Sequence, residues 1–129
     1  MSSRPLLAPN SVNPLINQSG ATSFNGPATI IQMLPGISYD ISWTGTLTGT
    51  FDVEVSNTYR QKADGTVAVA GNWTVLPHSS FSGTFPTPAG SPGNGFLDVV
   101  GTEAYAVRLI WTAVSGTGNI TVVPCGKVL

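Results

Sequence analysis

Charge is what this sequence has least of. Asp, Glu, Lys and Arg make up 9% of its 129 residues, against roughly 25% in ordinary soluble domains. The five basic residues (Arg4, Arg60, Lys62, Arg108 and Lys127) are scattered, and the net charge is −1. A polyanion-binding face needs clustered Lys and Arg, so nucleic acid is not an expected partner. A single cysteine, Cys125, excludes an internal disulfide and any multi-cysteine metal site. No apolar run approaches the ~20 residues of a membrane-spanning helix, so no membrane partner is expected. The opening stretch MSSRPLLAPNSVNPLINQSG lacks a compact apolar h-region, which predicts no signal peptide. The glycosylation-like triplets at Asn17, Asn72 and Asn119 then read as chance matches. No segment keeps a 3.6-residue apolar period with caps, so no helix is expected.

What fills the gap is Thr, Ser, Gly and Pro, with 15 Gly, 10 Pro and 41% apolar residues. That composition suits a many-turned β domain. It also suits a surface that neighbours will cover, because long charged side chains are costly to desolvate. The length predicts one domain with a real core.

The central stretch is Tyr39 to Asn57, YDISWTGTLTGTFDVEVSN. Tyr39, Ile41 and Trp43 alternate with polar residues, as do Phe51, Val53 and Val55. Side chains on a strand alternate faces, so each half predicts a strand with one apolar side. The Thr/Gly segment between them predicts a tight turn, and the whole a β-hairpin. Tyr105 to Val123 predicts a second hairpin around SGTGN. Thr22–Phe24 and Ala28–Met33 predict a strand pair turned at Asn25-Gly26-Pro27. Further short strands are expected at Thr66–Ala70, Trp73–Leu76 and Phe96–Val100. The sum is an all-β fold: an antiparallel two-sheet β-sandwich, jelly-roll-like, of about eight strands.

Two regions lie outside that pattern. Residues 1–20 carry Pro5, Pro9 and Pro14 among Leu6, Leu7, Val12, Leu15 and Ile16. Proline removes a donor and fixes φ, so neither a central strand nor a long helix is expected. The segment reads either as a disordered tail or as an extended N-terminal arm on a neighbouring subunit. Five aliphatic side chains suit the arm, with residues 21–129 as the sandwich. Residues 77–95 predict a long loop in which Phe81 and Phe85 pin it to this domain or to a partner.

Candidate chemistry is sparse. His78 is the one histidine, and the adjacent Ser79 and Ser80 do not make a nucleophile–base pair with an orienting acid. Cys125 has no cationic neighbour nearer than Lys127 and is expected to be a buried or half-buried structural thiol. Asp52 and Glu54 share a strand face with Asp40 across the expected hairpin. They are candidate Ca²⁺ ligands, or a solvated polar face, or partners for Arg108. No Asp-rich calcium loop is present, so no metal or cofactor is expected. Trp43, Trp73 and Trp111 sit at patterned strand positions, which favours core packing over a sugar platform. Gly116 and Gly118 are not a phosphate loop, since no helix is expected after them. No enzymatic activity is expected.

WTGTLTGTFDVEVSN, NWTVL, FLDVVG and YAVRLIWTAVSGTGNITV resemble, in that order, a family of small β-sandwich virion proteins of tailed bacteriophages. The family pattern W-T-G-T-x-x-G-T-F, S-N, W-T-x-L and Y-x-R-L-x-(Y/W)-T-x-x-S-G-T-G is matched by Trp43–Phe51, Ser56-Asn57, Trp73–Leu76 and Tyr105–Gly118. The resemblance covers about residues 37–126. It departs from the pattern at Thr58–Gly71 and residues 77–95, both longer here. It implies a structural virion protein, most often a head decoration (cement) protein. Such a protein binds and stabilises the major capsid protein, self-associates as a homotrimer, and resides on the capsid surface after synthesis in the host cytoplasm. Leu6, Leu7, Leu15 and Ile16 in the arm and Phe81 and Phe85 in the loop are the expected contact residues. The alternative is a carbohydrate- or receptor-binding module of a tail fibre or spike.

Overall fold

The computed structural model describes residues 14–31, 36–81, 85–100 and 104–127. One sheet carries β1 (Ile16–Ser19), β11 (Asn119–Lys127), β4 (Gly36–Trp43) and β9 (Gly93–Val100), in that spatial order. The second is built on β10 (Ala106–Ser115), which β5 (Thr48–Ser56) joins on one side, followed by β8 (Thr74–Val75). β2 (Phe24–Asn25) and β3 (Thr29–Ile30) both pair with β10 on its other side. A separate ribbon pairs β6 (Arg60–Gln61) with β7 (Val67–Val69). All pairings are antiparallel. The fold is the all-β sandwich that the alternation predicts.

The alternating apolar positions make the core. Tyr39, Ile41 and Trp43 from β4 and Phe51 and Val53 from β5 are buried, with Leu97, Val99, Val107, Leu109, Trp111, Ile120 and Val122. The Phe51 ring centroid lies 4.8 Å from that of Trp111 and 6.2 Å from that of Trp43. Phe51 thereby joins aromatic rings from both sheets.

The two expected hairpins are corrected. β4 pairs with β11 and β9, not with β5, and β5 pairs with β10 and β8. Residues 44–47 carry the chain from one sheet to the other, and residues 116–118 do the same between β10 and β11. A flat hairpin would leave its apolar side open. Folding each strand pair over lets the Tyr39–Trp43 face cover the Phe51–Val53 face, with Leu47 fully buried at the bend. β4–β11 and β5–β10 thus form one two-stranded ribbon bent across both sheets, which is the wrapping that a jelly-roll-like sandwich requires.

The two bends lie side by side and bond to each other. Thr44 N–H donates to Asn119 O (3.0 Å) and Thr46 N–H to Thr117 O (2.8 Å). In return Thr117 N–H donates to Thr46 Oγ1 (3.2 Å) and Asn119 N–H to Thr44 Oγ1 (2.9 Å). Gly45 and Gly116 both have positive φ, 75° and 87°. A Cβ on Gly45 would strike Thr117 O and one on Gly116 would strike Thr46 O. Glycine is therefore needed at these bends both for backbone conformation and for close approach.

Other expectations shift with the pairing. Among the described residues, Thr22–Phe24 and the stretch expected as its partner (Ala28–Met33) do not pair with each other. Their paired remnants β2 and β3 follow one another along β10, with Gly26 N–H bonding Leu109 O at 2.7 Å. Segments this short gain more from the long β10 edge than from each other. The sandwich also begins earlier than residue 21. Ile16–Ser19 lie along Ile120–Val122 and Asn119, Leu15 N–H bonds Val122 O (2.7 Å), and Ile16 is in the core. Pro14 precedes this strand, where its missing donor costs no ladder bond.

Candidate interaction surface

The residues expected to make contacts fall in three places. Leu6 and Leu7 lie outside the described residues. Leu15 is half-buried and Ile16 buried within this chain's own core. Phe81 and Phe85, in the loop after β8, are half-buried and rest against the same core. They pin the loop to this domain, one of the two alternatives the sequence left open.

That loop has a second anchor. His78 opens a 3₁₀ turn, His78–Ser80. Its Nε2 lies 2.8 Å from Asp52 Oδ1, and its ring stacks on Phe85 at 3.8 Å between centroids. Phe85 meets Phe81 edge-on at 5.3 Å. The His78–Asp52 contact fastens the loop to β5.

The three carboxylates offered as calcium ligands are not neighbours. Asp40 is on β4 in one sheet, while Asp52 and Glu54 are on β5 in the other. Among the described residues, no three His, Cys, Asp or Glu are grouped to hold a metal. Glu54 instead binds Arg108, its cross-strand partner, at 2.8 Å (Nε–Oε1) and 2.7 Å (Nη2–Oε1). This is the partnership that the sequence offered as the plainer reading.

Trp73 is corrected from a core to a surface role. It is half-buried. The Arg108 guanidinium sits 4.2 Å from its ring centroid, Tyr59 lies 5.5 Å from it, and its Nε1–H donates to Ala70 O (2.9 Å). It clamps the excursion after β5 onto the outer face of the sheet, and Arg60 over Tyr105 (4.3 Å) adds a second clamp. Cys125 is also corrected: it is exposed. Ile120, Val122 and Pro124 take the inward positions of β11, so Cys125 is out of phase with them and faces outward.

An open cleft of about 320 Å³ has a wall that includes Ser56, Asn57, Thr58, Asn72 and Thr74. Several of its polar atoms are engaged in holding the chain. Ser56 Oγ accepts from Thr58 and Tyr59 N–H, Asn57 Oδ1 from Tyr105 N–H, and Thr58 Oγ1 from Asn72 N–H.

Five large apolar side chains that the sequence reading did not single out are exposed: Val67, Val69, Val75, Phe96 and Val114. For Phe96 a signal existed. It adjoins Leu97, and two consecutive residues on a strand cannot both face the core. For Val67 and Val69 the signal was the surrounding run of Ala, Gly and polar residues, which has no second apolar stripe for them to meet. Asp64 Oδ1 accepts from Thr66 N–H and Oγ1 at the tip of this ribbon, which lowers the Asp64 pKa. Among the described residues, no helix is long and apolar enough to cross a membrane. Comparison of the chain with protein-family models, with curated proteins and with solved structures returned no significant match.

Proposed function

We propose that this chain is a structural component of a tailed-phage particle, a decoration protein that binds the outside of the major capsid shell and stabilises it. The observation that carries this reading is a surface poor in charge that presents Val67, Val69, Val75, Phe96 and Val114 to solvent. A surface with few charges and exposed apolar groups is cheap to desolvate, which suits a protein that neighbours cover. The resemblance to phage virion proteins supplies the partner. Its W-T-G-T and S-G-T-G stretches are the two bends that bond to each other, so the motif residues here serve the sandwich while the departures from the pattern supply contacts. The test is a cryo-EM map of the purified parent particle. Copies arrayed over the shell are the expected result. A few copies confined to the tail would overturn it.

A second reading, a glycan- or receptor-binding module, is favoured by one observation: an open cleft walled by amides and hydroxyls of Asn57, Thr58, Asn72 and Thr74, two of which flank the half-exposed Trp73 in sequence. Aromatic faces with nearby amides and hydroxyls suit sugars. Glycan-array binding that is lost in Trp73→Ala supports this reading, and an array without signal removes it.

A further inference from the structure

Among the described residues, β9 is an edge strand without the usual edge protection. β9 is 8 residues long and ends its sheet, with β4 as its one ladder partner among the described residues. Its pairing with β4 runs from Gly93↔Trp43 to Val100↔Gly36 without a register shift. Natural sheet edges are blunted by proline, lysine, bulges or short length. GNGFLDVV has no proline, no lysine and no bulge. At its middle Phe96 is 60% exposed. β1, at the opposite edge of the same sheet, has only 4 residues.

We propose that β9 pairs with β9 of a second copy across a two-fold axis, so that the two sheets join into one continuous antiparallel sheet. A strand beside its own two-fold mate is always antiparallel, as the ladder requires. The strand's own sequence fits this arrangement in one register, with Phe96 opposite Phe96 of the second copy. Residues equidistant from Phe96 then face each other. Asn94 then lies opposite Asp98, and the two Asp98 side chains do not oppose each other. On the inner face Gly93 meets Val99, small opposite large, while Gly95, which the Pro86 ring already covers, meets Leu97. On the outer face the two exposed Phe96 rings cover one another. The resemblance to phage virion proteins implied a trimer, whereas this edge is built for a pair.

The test is the mass and cross-linking of the full-length protein in isolation, which is independent of capsid attachment. Sedimentation or light scattering is expected to give twice 13.3 kDa for the wild type. Phe96→Lys sets like charges directly opposite, and should weaken dimerisation by roughly tenfold or more. A positive readout comes from Phe96→Cys in a Cys125→Ser background. Opposed positions on an antiparallel ladder have Cα atoms about 4.5–5.5 Å apart, within disulfide range. Mild oxidation should therefore link this variant into a covalent dimer, while Val114→Cys/Cys125→Ser stays unlinked. A monomeric wild type, a larger oligomer unmoved by Phe96→Lys, or a Phe96→Cys variant that links no faster than the Val114→Cys control would each overturn the proposal.

Discussion

Thr46 and Thr117 hold each other twice. The backbone N–H of Thr46 donates to Thr117 O at 2.8 Å, and the backbone N–H of Thr117 donates to Thr46 Oγ1 at 3.2 Å. The bends between β4 and β5 and between β10 and β11 are thereby one structure made from two distant stretches of chain. A glycine in these bends should be costlier to replace than a positive-φ glycine in open space. Gly116→Ala meets both a positive φ and a backbone oxygen, and should cost about 2 kcal/mol or more. Gly65 has a similar φ of 89° with nothing within 4 Å of an added Cβ. Gly65→Ala should therefore cost only about 1 kcal/mol, the conformational part alone. Urea midpoints of the two variants measure the difference, and equal costs would show that the bends do not interlock.

Tyr39 carries the second prediction. Its ring is fully buried, and its hydroxyl has no hydrogen-bond partner among the described residues. An unsatisfied buried hydroxyl costs stability, so Tyr39→Phe should stabilise the fold by about 1 kcal/mol. Burial also raises the Tyr39 pKa well above its ordinary value. The folded state therefore keeps the phenol proton where the unfolded chain has lost it. The stability linked to this group is fully present below pH ~10, the ordinary tyrosine value, and falls as pH rises above it. Tyr39→Phe should flatten that alkaline fall. A melting-temperature series from pH 8 to 11 reads both effects, and parallel curves for the two proteins would reject the assignment.

Arg108 and Trp73 should be energetically coupled. The guanidinium is held by Glu54 on one side and by the indole face on the other. A double-mutant cycle of Arg108→Ala and Trp73→Ala should show a coupling of about 0.5–1 kcal/mol, as stacked cation–aromatic pairs at partly exposed sites do. A coupling near zero would mean that Trp73 holds the excursion through its Ala70 hydrogen bond and its Tyr59 contact alone.

His78→Ala should separate local from global stability. The His78–Asp52 contact is half exposed, so the global cost should stay under about 1 kcal/mol. The loop it fastens should open more often. Limited proteolysis is expected to cut within residues 77–92 faster in the variant, while the urea midpoint barely moves. Unchanged cleavage would leave Phe81 and Phe85 as the loop's sufficient anchors.

The sequence carried the strands better than their partners. Period-two alternation placed Tyr39, Ile41, Trp43, Phe51 and Val53 on inward faces, and all are buried. The same alternation around a Thr/Gly turn is written whether two strands pair with each other or cross between sheets. Only contact with β10 and β11, far along the chain, decides between these. That is why both hairpins were misread. Trp73 obeyed the strand pattern yet lies outside, because the edge strand it precedes has only Thr74 and Val75 paired, too short to pull an indole inward. The contact surface was the least legible part. Leu15 and Ile16 looked free for a neighbour because β11, which covers them, is at the other end of the chain. Phe96 was not singled out, although its place next to the inward Leu97 already turns it outward.

The bent ribbon also sets when this protein can fold. β4 is flanked by β9 and β11, and β1 lies along β11, so that Ile16 meets Val122. No strand of that sheet finds a neighbour within it until β9 (Gly93–Val100) has been made, and β1 finds none until β11. During synthesis the apolar faces of β4 and β5 must wait, exposed to chaperones and to other nascent chains, until β10 and β11 emerge from the ribosome. Refolding of the finished chain belongs accordingly to the slow class of non-local β topologies. A truncation that removes β11 deprives β1 and β4 of their shared partner and leaves only the β4–β9 pair of that sheet.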